Sequence, residues 1–371
     1  MQEIDIALLL QEEATQNQYI FNFVLMNLIF VVAYVNRKKM LPKFITWLLL
    51  IVFVLYAYWD TDYFSFRYNF YTSLEGFRDP LYYYLSLLSF KSYTIFRLLI
   101  WGTALLLFYK TSRRFNLPSN YTAFIFAIFF LLTFSYARVS LGMALYFYGL
   151  SLILRPIRGK ELNNLIWGII IIASSYFGHR SMSVLILLTP LIFIKLNRKT
   201  LFLMVLAGIA FSSIAGILLS GFADESISVD PQFNAISDAA NQYAVKDIVV
   251  EYNWKFTLIR NLRNYSIIIM LLYIVWKAVF TNAKVAMPNS IKRLIYLCCG
   301  ILIIAVSFMS IPGLGAEIIG YRFLYMLGIP LCIIFTYMCN QGITKPKIAI
   351  ILLIPALLYA EGFIFGKILS F

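Results

Sequence analysis

The only histidine of this chain, His179, stands between two apolar runs, in Ser175-Tyr-Phe-Gly-His179-Arg-Ser181. An ionisable side chain among apolar segments is costly to keep, so such residues tend to survive where they perform chemistry. Imidazole can take up or release a proton near neutral pH. The alternative is an interfacial turn histidine without a chemical role, and position alone does not separate the two.

Arginines and carboxylates in other segments could take part in the same chemistry. The planar guanidinium fork can bind a diphosphate bidentately, and carboxylates can accept protons. The cationic candidates are Arg97, Arg138, Arg180 and Arg322, and the acidic candidates are Asp60, Asp62 and Asp79, with Arg78, Glu317, Tyr321 and Tyr325 close to them in sequence. For Arg97 and Arg180, anchoring at a membrane interface by snorkelling is the competing interpretation.

Composition determines the kind of element that must hold these residues. The 371 residues are 61% hydrophobic and 18% aromatic with only 13% charged, which excludes a water-soluble fold of this size. Long apolar runs without strict alternation predict an all-α, polytopic integral membrane protein with about 12 transmembrane helices. The runs cover approximately 19–35, 44–58, 92–109, 120–136, 139–154, 163–178, 182–196, 200–220, 264–280, 294–310, 321–339 and 347–366. We expect a single transmembrane helical domain over 1–371.

The distribution of basic residues along the chain predicts its orientation across the membrane. A net charge of +14 invites a nucleic-acid partner, but the charges fall in alternate connections between apolar runs, which argues against one. By the positive-inside rule these clusters are cytoplasmic, which places both termini and the other connections outside. The clusters are Arg37 to Lys43, Lys110 to Arg114, Arg155 to Lys160, Lys195 to Lys199, Lys277 to Arg293, and Lys345 with Lys347.

This topology places His179, Arg138, Arg322 and the acidic candidates on the outer side. Arginine is disfavoured in short outer turns, so the presence of Arg138 and Arg322 there suggests an anionic partner. Two outer segments are longer than turns. The first, 59–91, predicts an interfacial or re-entrant helix entered at Pro80. The second, 221–263, holds apolar residues at helical spacing over 233–245, which suits either a lid or a solvated loop.

Several short motifs resemble the EpsG-like branch of the bacterial polysaccharide polymerases of the Wzy type. They are Asp60-Thr-Asp62-Tyr63, Asp79-Pro-Leu-Tyr-Tyr-Tyr84, Ala137-Arg138-Val-Ser-Leu-Gly-Met-Ala-Leu-Tyr146, the His179-Arg-Ser181 junction, and Tyr321-Arg322-Phe-Leu-Tyr325. The resemblance implies a multi-pass protein of the bacterial inner membrane that joins undecaprenyl-pyrophosphate-linked oligosaccharide units on the periplasmic side. It also implies a flippase and a chain-length regulator as partners, and inversion at the anomeric carbon.

That chemistry needs a base near the acceptor hydroxyl and cations near the phosphates. His179, with an ordinary pKa of ~6.5, is a candidate base, and Asp60, Asp62 or Asp79 could serve instead. Arg138 and Arg322 are the first candidates for the pyrophosphate, with Arg97 and Arg180 in reserve. The mechanism requires no cofactor, and the isolated Asp60-x-Asp62 pair is too weak a signal to predict a metal site.

Two other functions are compatible with the pattern. A lipid-linked oligosaccharide flippase or transporter would also use cations, although alternating access favours charges near the bilayer midplane, whereas these gather outside. A glycan ligase would move the chain to another lipid. Tyrosines of the first outer loop could stack on sugars or form an aromatic belt at the interface.

Overall fold

The computed structural model describes residues 14–37, 42, 44–58, 61–72, 80–133, 137–224, 254–280, 287–309 and 314–369. All regular elements in these ranges are helices, as the all-α prediction requires. They are α1 (Gln16–Asn36), α2 (Phe44–Leu55), α3 (Thr61–Thr72), α4 (Pro80–Leu88), α5 (Tyr93–Arg114), α6 (Ser119–Thr133), α7 (Ala137–Leu154), α8 (Glu161–Gly178), α9 (Met182–Leu188), α10 (Arg198–Asp224), α11 (Trp254–Val275), α12 (Asn289–Met309), α13 (Leu314–Met326), α14 (Gly328–Asn340) and α15 (Pro346–Leu369), with a 3-10 helix at Thr189–Phe193 and a π-helical turn at Trp276–Phe280.

Local signals determine where several helices begin. Thr15 and Gln18 form a reciprocal capping box at the start of α1. The Ser92 hydroxyl accepts the N–H of Ile95 at the start of α5. Helix α4 begins at Pro80, where the missing N–H removes no intrahelical bond, and the sequence predicts this start.

The start of α8 depends on a glycine. Gly159 has φ +79°, a conformation that L side chains rarely adopt. Its N–H donates to Oε1 of Glu161 at 2.9 Å, and this bond lowers the pKa of the exposed Glu161 carboxyl. A carboxylate in the first helical turn also matches the positive end of the helix dipole.

Four segments in the described part of the chain are long and apolar enough to cross a membrane: Gln16–Asn36, Tyr93–Arg114, Asn289–Met309 and Gly320–Asn340. Four shorter apolar segments accompany them, at Phe44–Leu55, Val139–Leu154, Met182–Phe193 and Asn264–Phe280. Every predicted apolar run overlaps a helix within the described residues, but the number of spans remains a prediction.

The run 321–339 is interrupted at Leu327, between α13 and α14. Pro330 has no N–H to donate to the carbonyl of Met326, and a proline ring clashes with that carbonyl in a continuous helix. Helix α3, in contrast, was not expected from the sequence, because its aromatic residues follow no clear helical period. The helix considered at 233–245 lies outside the described residues.

Backbone contacts divide the chain into two compact units. The first comprises Met1–Leu187 and Gly328–Phe371, and the second Leu188–Leu327. In the first, α1 packs against α2, α6 and α15, α5 against α2, α4 and α7, and α7 against α8. The rings of Phe108 and Phe126 stack at 4.1 Å in its core, beside Trp47.

In the second unit, α12 packs against α10, α11, α13 and the 3-10 helix. Glycines permit this close packing, since Gly300 faces Leu191 and Gly208 faces Ile303. Helix α13, which contains Arg322, is held in this unit by its packing against α12.

Candidate active site

The predicted site residues fall into three groups by how far the structure describes them. His179, Arg97, Arg180, Arg322, Tyr321 and Tyr325 are described with their side chains. Asp62, Arg138 and Glu317 are placed by backbone only, in α3, α7 and α13. Asp60, Arg78 and Asp79 lie outside the described residues.

Helices α7 and α8 pack at backbone distance through two pairs of glycines. A Cβ on Gly178 would lie 3.0 Å from Cα of Gly142, and a Cβ on Gly149 would lie 2.8 Å from the carbonyl oxygen of Gly168. Small residues at membrane helix interfaces permit such an approach. The close contacts therefore fix the position of α7 relative to α8.

This packing brings two of the predicted residues to one end of the helix pair. His179 directly follows Gly178 at the end of α8, and Arg138 precedes Gly142 by one helical turn at the start of α7. His179 and Arg138 thus lie at the same end of the α7–α8 pair, although they are 41 positions apart in the chain.

His179 is held by bonds on both sides of the junction. It leaves the helix in an extended conformation, with its N–H donating to Ser175 at 3.2 Å. Its carbonyl accepts the N–H of Met182 at 2.9 Å, which starts α9. Its Nδ1 accepts the backbone N–H of Ser181 at 3.1 Å and lies 2.6 Å from the Ser181 hydroxyl oxygen. The half-buried ring is therefore fixed in orientation.

The Ser181 N–H determines the tautomer of the ring. A backbone N–H can only donate, so Nδ1 is the acceptor nitrogen and has no room for a proton. A neutral imidazole with an acceptor at Nδ1 carries its proton on Nε2. The Ser181 hydroxyl oxygen lies within hydrogen-bond distance of the same nitrogen. This geometry favours the neutral ring with its proton on Nε2, where His179 presents a hydrogen-bond donor.

The helix that follows is anchored to α7. Tyr146 is fully buried, and its hydroxyl donates to the carbonyl of Leu185 at 2.9 Å. Met182 is also fully buried, and a Cβ on Gly142 would lie 2.9 Å from its Cγ. Helices on both sides of His179 thus rest on α7, while Arg180 between them is exposed.

Arg97 is engaged by the protein itself. It is 3% exposed, and its Nε and Nη2 both donate to the carbonyl of Val54 near the C-terminus of α2. Its Nη1 donates to the hydroxyl of Tyr93 at 3.3 Å, and that hydroxyl donates to the carbonyl of Tyr63 at 2.8 Å. A cation at a helix C-terminus also interacts favourably with the helix dipole. These contacts describe a structural clamp joining α2, α3 and α5.

The ring of Tyr63 lies under the Arg97 guanidinium, 4.6 Å from its Cζ to the ring centroid. Burial raises the pKa of the Tyr63 phenol, although the nearby Arg97 charge opposes the shift. The phenol stays protonated at neutral pH, and its neutral face receives the cation. Because Asp62 directly precedes Tyr63, the clamp also determines the position of the backbone that carries Asp62.

In the second unit, Tyr321 and Tyr325 stand one helical turn apart on α13 and are both buried, at 7% and 1% exposure. Arg322 is half-buried between them in sequence. The two tyrosines therefore belong to the packed face of α13.

Two residues of the junction, Ser181 and Tyr146, stand in motifs quoted from the sequence but are given no role there. The His-x-Ser spacing was a usable signal, because a side chain can accept the N–H two residues on. Tyr146 offered none, since its partner Leu185 is 39 residues away. Within the described ranges, no group of three or more His, Cys, Asp or Glu side chains is arranged to hold a metal ion.

The model of a protein family described as the EpsG family matches residues 40–370. No curated protein and no solved structure matches the chain.

Proposed function

The chain belongs to the EpsG family, and on that premise we propose that it is a membrane-embedded polysaccharide polymerase. It joins undecaprenyl-pyrophosphate-linked oligosaccharide units at the periplasmic face of the bacterial inner membrane. The observation that carries the proposal is the His179–Ser181 junction, an oriented imidazole at the same helix-pair end as Arg138. The family of the chain, together with apolar helices long enough to cross a membrane, supports a membrane-embedded location.

The proposed reaction is a single displacement. The acceptor hydroxyl oxygen forms a bond to the anomeric carbon of the donor unit, and the bond from that carbon to the pyrophosphate oxygen breaks. The hydroxyl proton passes to a base, and lipid pyrophosphate leaves with the bonding electron pair. One displacement inverts the anomeric configuration.

His179 acts in this scheme as a donor. Its Nε2–H hydrogen-bonds an oxygen of the departing pyrophosphate, where negative charge develops. Donors held in place before the reaction stabilise such charge without reorganisation. Ser181 is a positioning residue, because it keeps the proton on Nε2.

The base is then one of the carboxylates Asp60, Asp62 or Asp79. Their ordinary pKa of about 3.9 leaves them ionised at neutral pH and able to accept the hydroxyl proton. Helix α3, which carries Asp62, is joined to α2 and α5 by the Arg97 clamp.

Arg138 is the proposed pyrophosphate ligand at the α7 end, with exposed Arg180 as a second cation. Arg322, on α13, is a separate candidate for binding phosphate. Arg322→Ala tests this role through its effect on the rate of polymerisation. We assign Arg97 to positioning, because its guanidinium nitrogens donate to Val54 and Tyr93.

The deciding experiment uses purified protein and synthetic lipid-pyrophosphate repeat units. The proposal predicts a ladder of longer glycans with stoichiometric release of lipid pyrophosphate. Transbilayer movement of labelled lipid without a change in glycan length would identify a flippase instead. Transfer of one unit to an unrelated lipid acceptor, without a ladder, would identify a ligase.

A further inference from the structure

An apolar groove of about 340 Å³ opens on the surface of the first unit, between α1, α6 and α15. Its walls include Val31, Tyr34, Phe124, Ile128, Ile350 and Leu357. This volume falls within the range of small-molecule sites, which begins at about 300 Å³. The lining suits a hydrocarbon chain.

Helices α1 and α15 run antiparallel along this groove. The Gln16 side-chain amide donates to the carbonyl of Ile368 at 3.1 Å, and the rings of Phe23 and Phe365 lie 6.1 Å apart. The start of α1 therefore adjoins the end of α15. Consequently the end of α1 and the start of α15 lie at the same end of the groove.

A guanidinium stands at that end. The Arg37 Cζ lies 3.5 Å from the centroid of the Tyr34 ring and 5.7 Å from that of Phe124. Both rings also line the groove. The side-chain amide of Asn120 donates to the Arg37 carbonyl at 2.9 Å and fixes its backbone. The same two aromatic side chains thus hold a cation and form an apolar wall.

Further positive charge lies on α15. Lys347 is exposed and precedes Ile350 of the groove by three residues, so it stands about one turn nearer the same end. In the described part of the chain, Arg37 stacks on rings and makes no ion pair with a carboxylate. The charge pattern predicts that this end is cytoplasmic, where the leaflet contains anionic lipid.

We propose that this groove is a binding site for an anionic glycerophospholipid of the cytoplasmic leaflet. One acyl chain occupies the groove, and the phosphate lies between Arg37 and Lys347. Ile350 and Leu357 are separated by roughly 10 Å along α15, a length that holds a segment of one acyl chain. The site lies at the end opposite to the proposed chemistry and does not depend on it.

The test measures lipid retention by native mass spectrometry of the purified full-length chain in detergent. The probes are phosphatidylglycerol and phosphatidylcholine with identical acyl chains. Retention of phosphatidylglycerol should exceed that of phosphatidylcholine, and Arg37→Gln should weaken it about tenfold, the effect of losing one charge-assisted contact. Val31→Trp, which fills the groove, should weaken retention by a similar factor.

Matched controls are available on the same surface. Val24 lies two turns from Val31 on α1 with nearly equal exposure, 59% against 62%, so Val24→Trp tests bulk without filling the groove. Arg113→Gln removes an exposed cation elsewhere. Unchanged retention in both controls supports the site. Equal retention of the two lipids, equal loss in both tryptophan variants, or displacement of phosphatidylglycerol by equimolar undecaprenyl phosphate would overturn the proposal.

Discussion

The backbone N–H of Ser181 donates to Nδ1 of His179 at 3.1 Å. This bond spans only two residues, yet it favours the imidazole tautomer that carries its proton on Nε2. An imidazole with a free acceptor at Nε2 could remove a proton from a sugar hydroxyl, whereas one with Nε2–H can only donate. The junction therefore favours a stabilising role for the histidine and leaves proton removal to a carboxylate.

The tautomer can be observed directly, because the chain contains a single histidine. Nitrogen-15 labelling of histidine gives signals from His179 alone. We expect the wild-type spectrum to show Nε2 protonated and Nδ1 unprotonated at neutral pH. Ser181→Ala keeps the backbone N–H and should leave this tautomer in place, whereas Ser181→Pro, which removes that N–H, should introduce a detectable Nδ1–H population. A dominant Nδ1–H signal in the wild type would contradict the assignment.

Substitutions of His179 separate a donor from a base by activity. Glutamine can place an amide N–H near the Nε2 position, while asparagine is too short to do so. We expect His179→Gln to retain more polymerisation than His179→Asn, and His179→Ala to lose roughly 100-fold or more in kcat/KM. The measurement is the initial rate of lipid-pyrophosphate release. If glutamine and alanine variants were equally inactive while folded, the ring would be acting as the base.

The Arg97 clamp should contribute to stability. Arg97→Met removes the donors to Val54 and Tyr93 and leaves the Val54 carbonyl with fewer partners. We expect a decrease of about 2–4 kcal/mol in the free energy of unfolding, measured in detergent. Arg113→Met, on the same helix but exposed, should change it by less than about 0.5 kcal/mol. Equal changes in the free energy of unfolding for the two substitutions would show that the Arg97 hydrogen bonds do not stabilise the fold.

The glycine contact between α7 and α8 should be sensitive to one methyl group. A Cβ on Gly178 would lie 3.0 Å from backbone of Gly142, so Gly178→Ala must separate the helices, at a cost of about 1–3 kcal/mol. Gly102 in α5 has its nearest neighbour at 3.7 Å, so Gly102→Ala should stabilise by up to about 1 kcal/mol through helix propensity. Thermal unfolding of the two variants should therefore shift in opposite directions. A neutral Gly178→Ala would show that the contact is looser than described.

Labelling at the two ends of α8 tests the membrane topology. Arg158 lies before the start of this helix and Arg180 after its end, and both are exposed. In a background without the native cysteines, a membrane-impermeant maleimide should label Arg180→Cys in intact spheroplasts, and Arg158→Cys only after permeabilisation. The reverse pattern would place His179 on the cytoplasmic side and rule out a periplasmic reaction.

The sequence determined the class and the positions of most helices. Apolar runs, Pro80 and the capping residues are local signals, and each acts within a few residues of the element it starts or stops. The sequence also identified His179, because one imidazole between apolar runs is unusual without any knowledge of its neighbours. Helix α3 was missed because its aromatic residues gain their helical register from packing, as in the contact of Tyr63 with Tyr93.

Tertiary structure supplied the partners of these residues. Arg97 is a phosphate candidate by sequence, and the partner that the fold gives it, the Val54 carbonyl, lies 43 residues away. The groove beside Arg37 is formed by helices from opposite ends of the chain. The glycines of α7 and α8 matter because they contact each other across the helix pair. Hydrogen bonds and packing act over a few ångströms in space whatever the separation along the chain. A pattern of residue types can therefore indicate chemistry, but the partners of each side chain determine which chemistry it can perform.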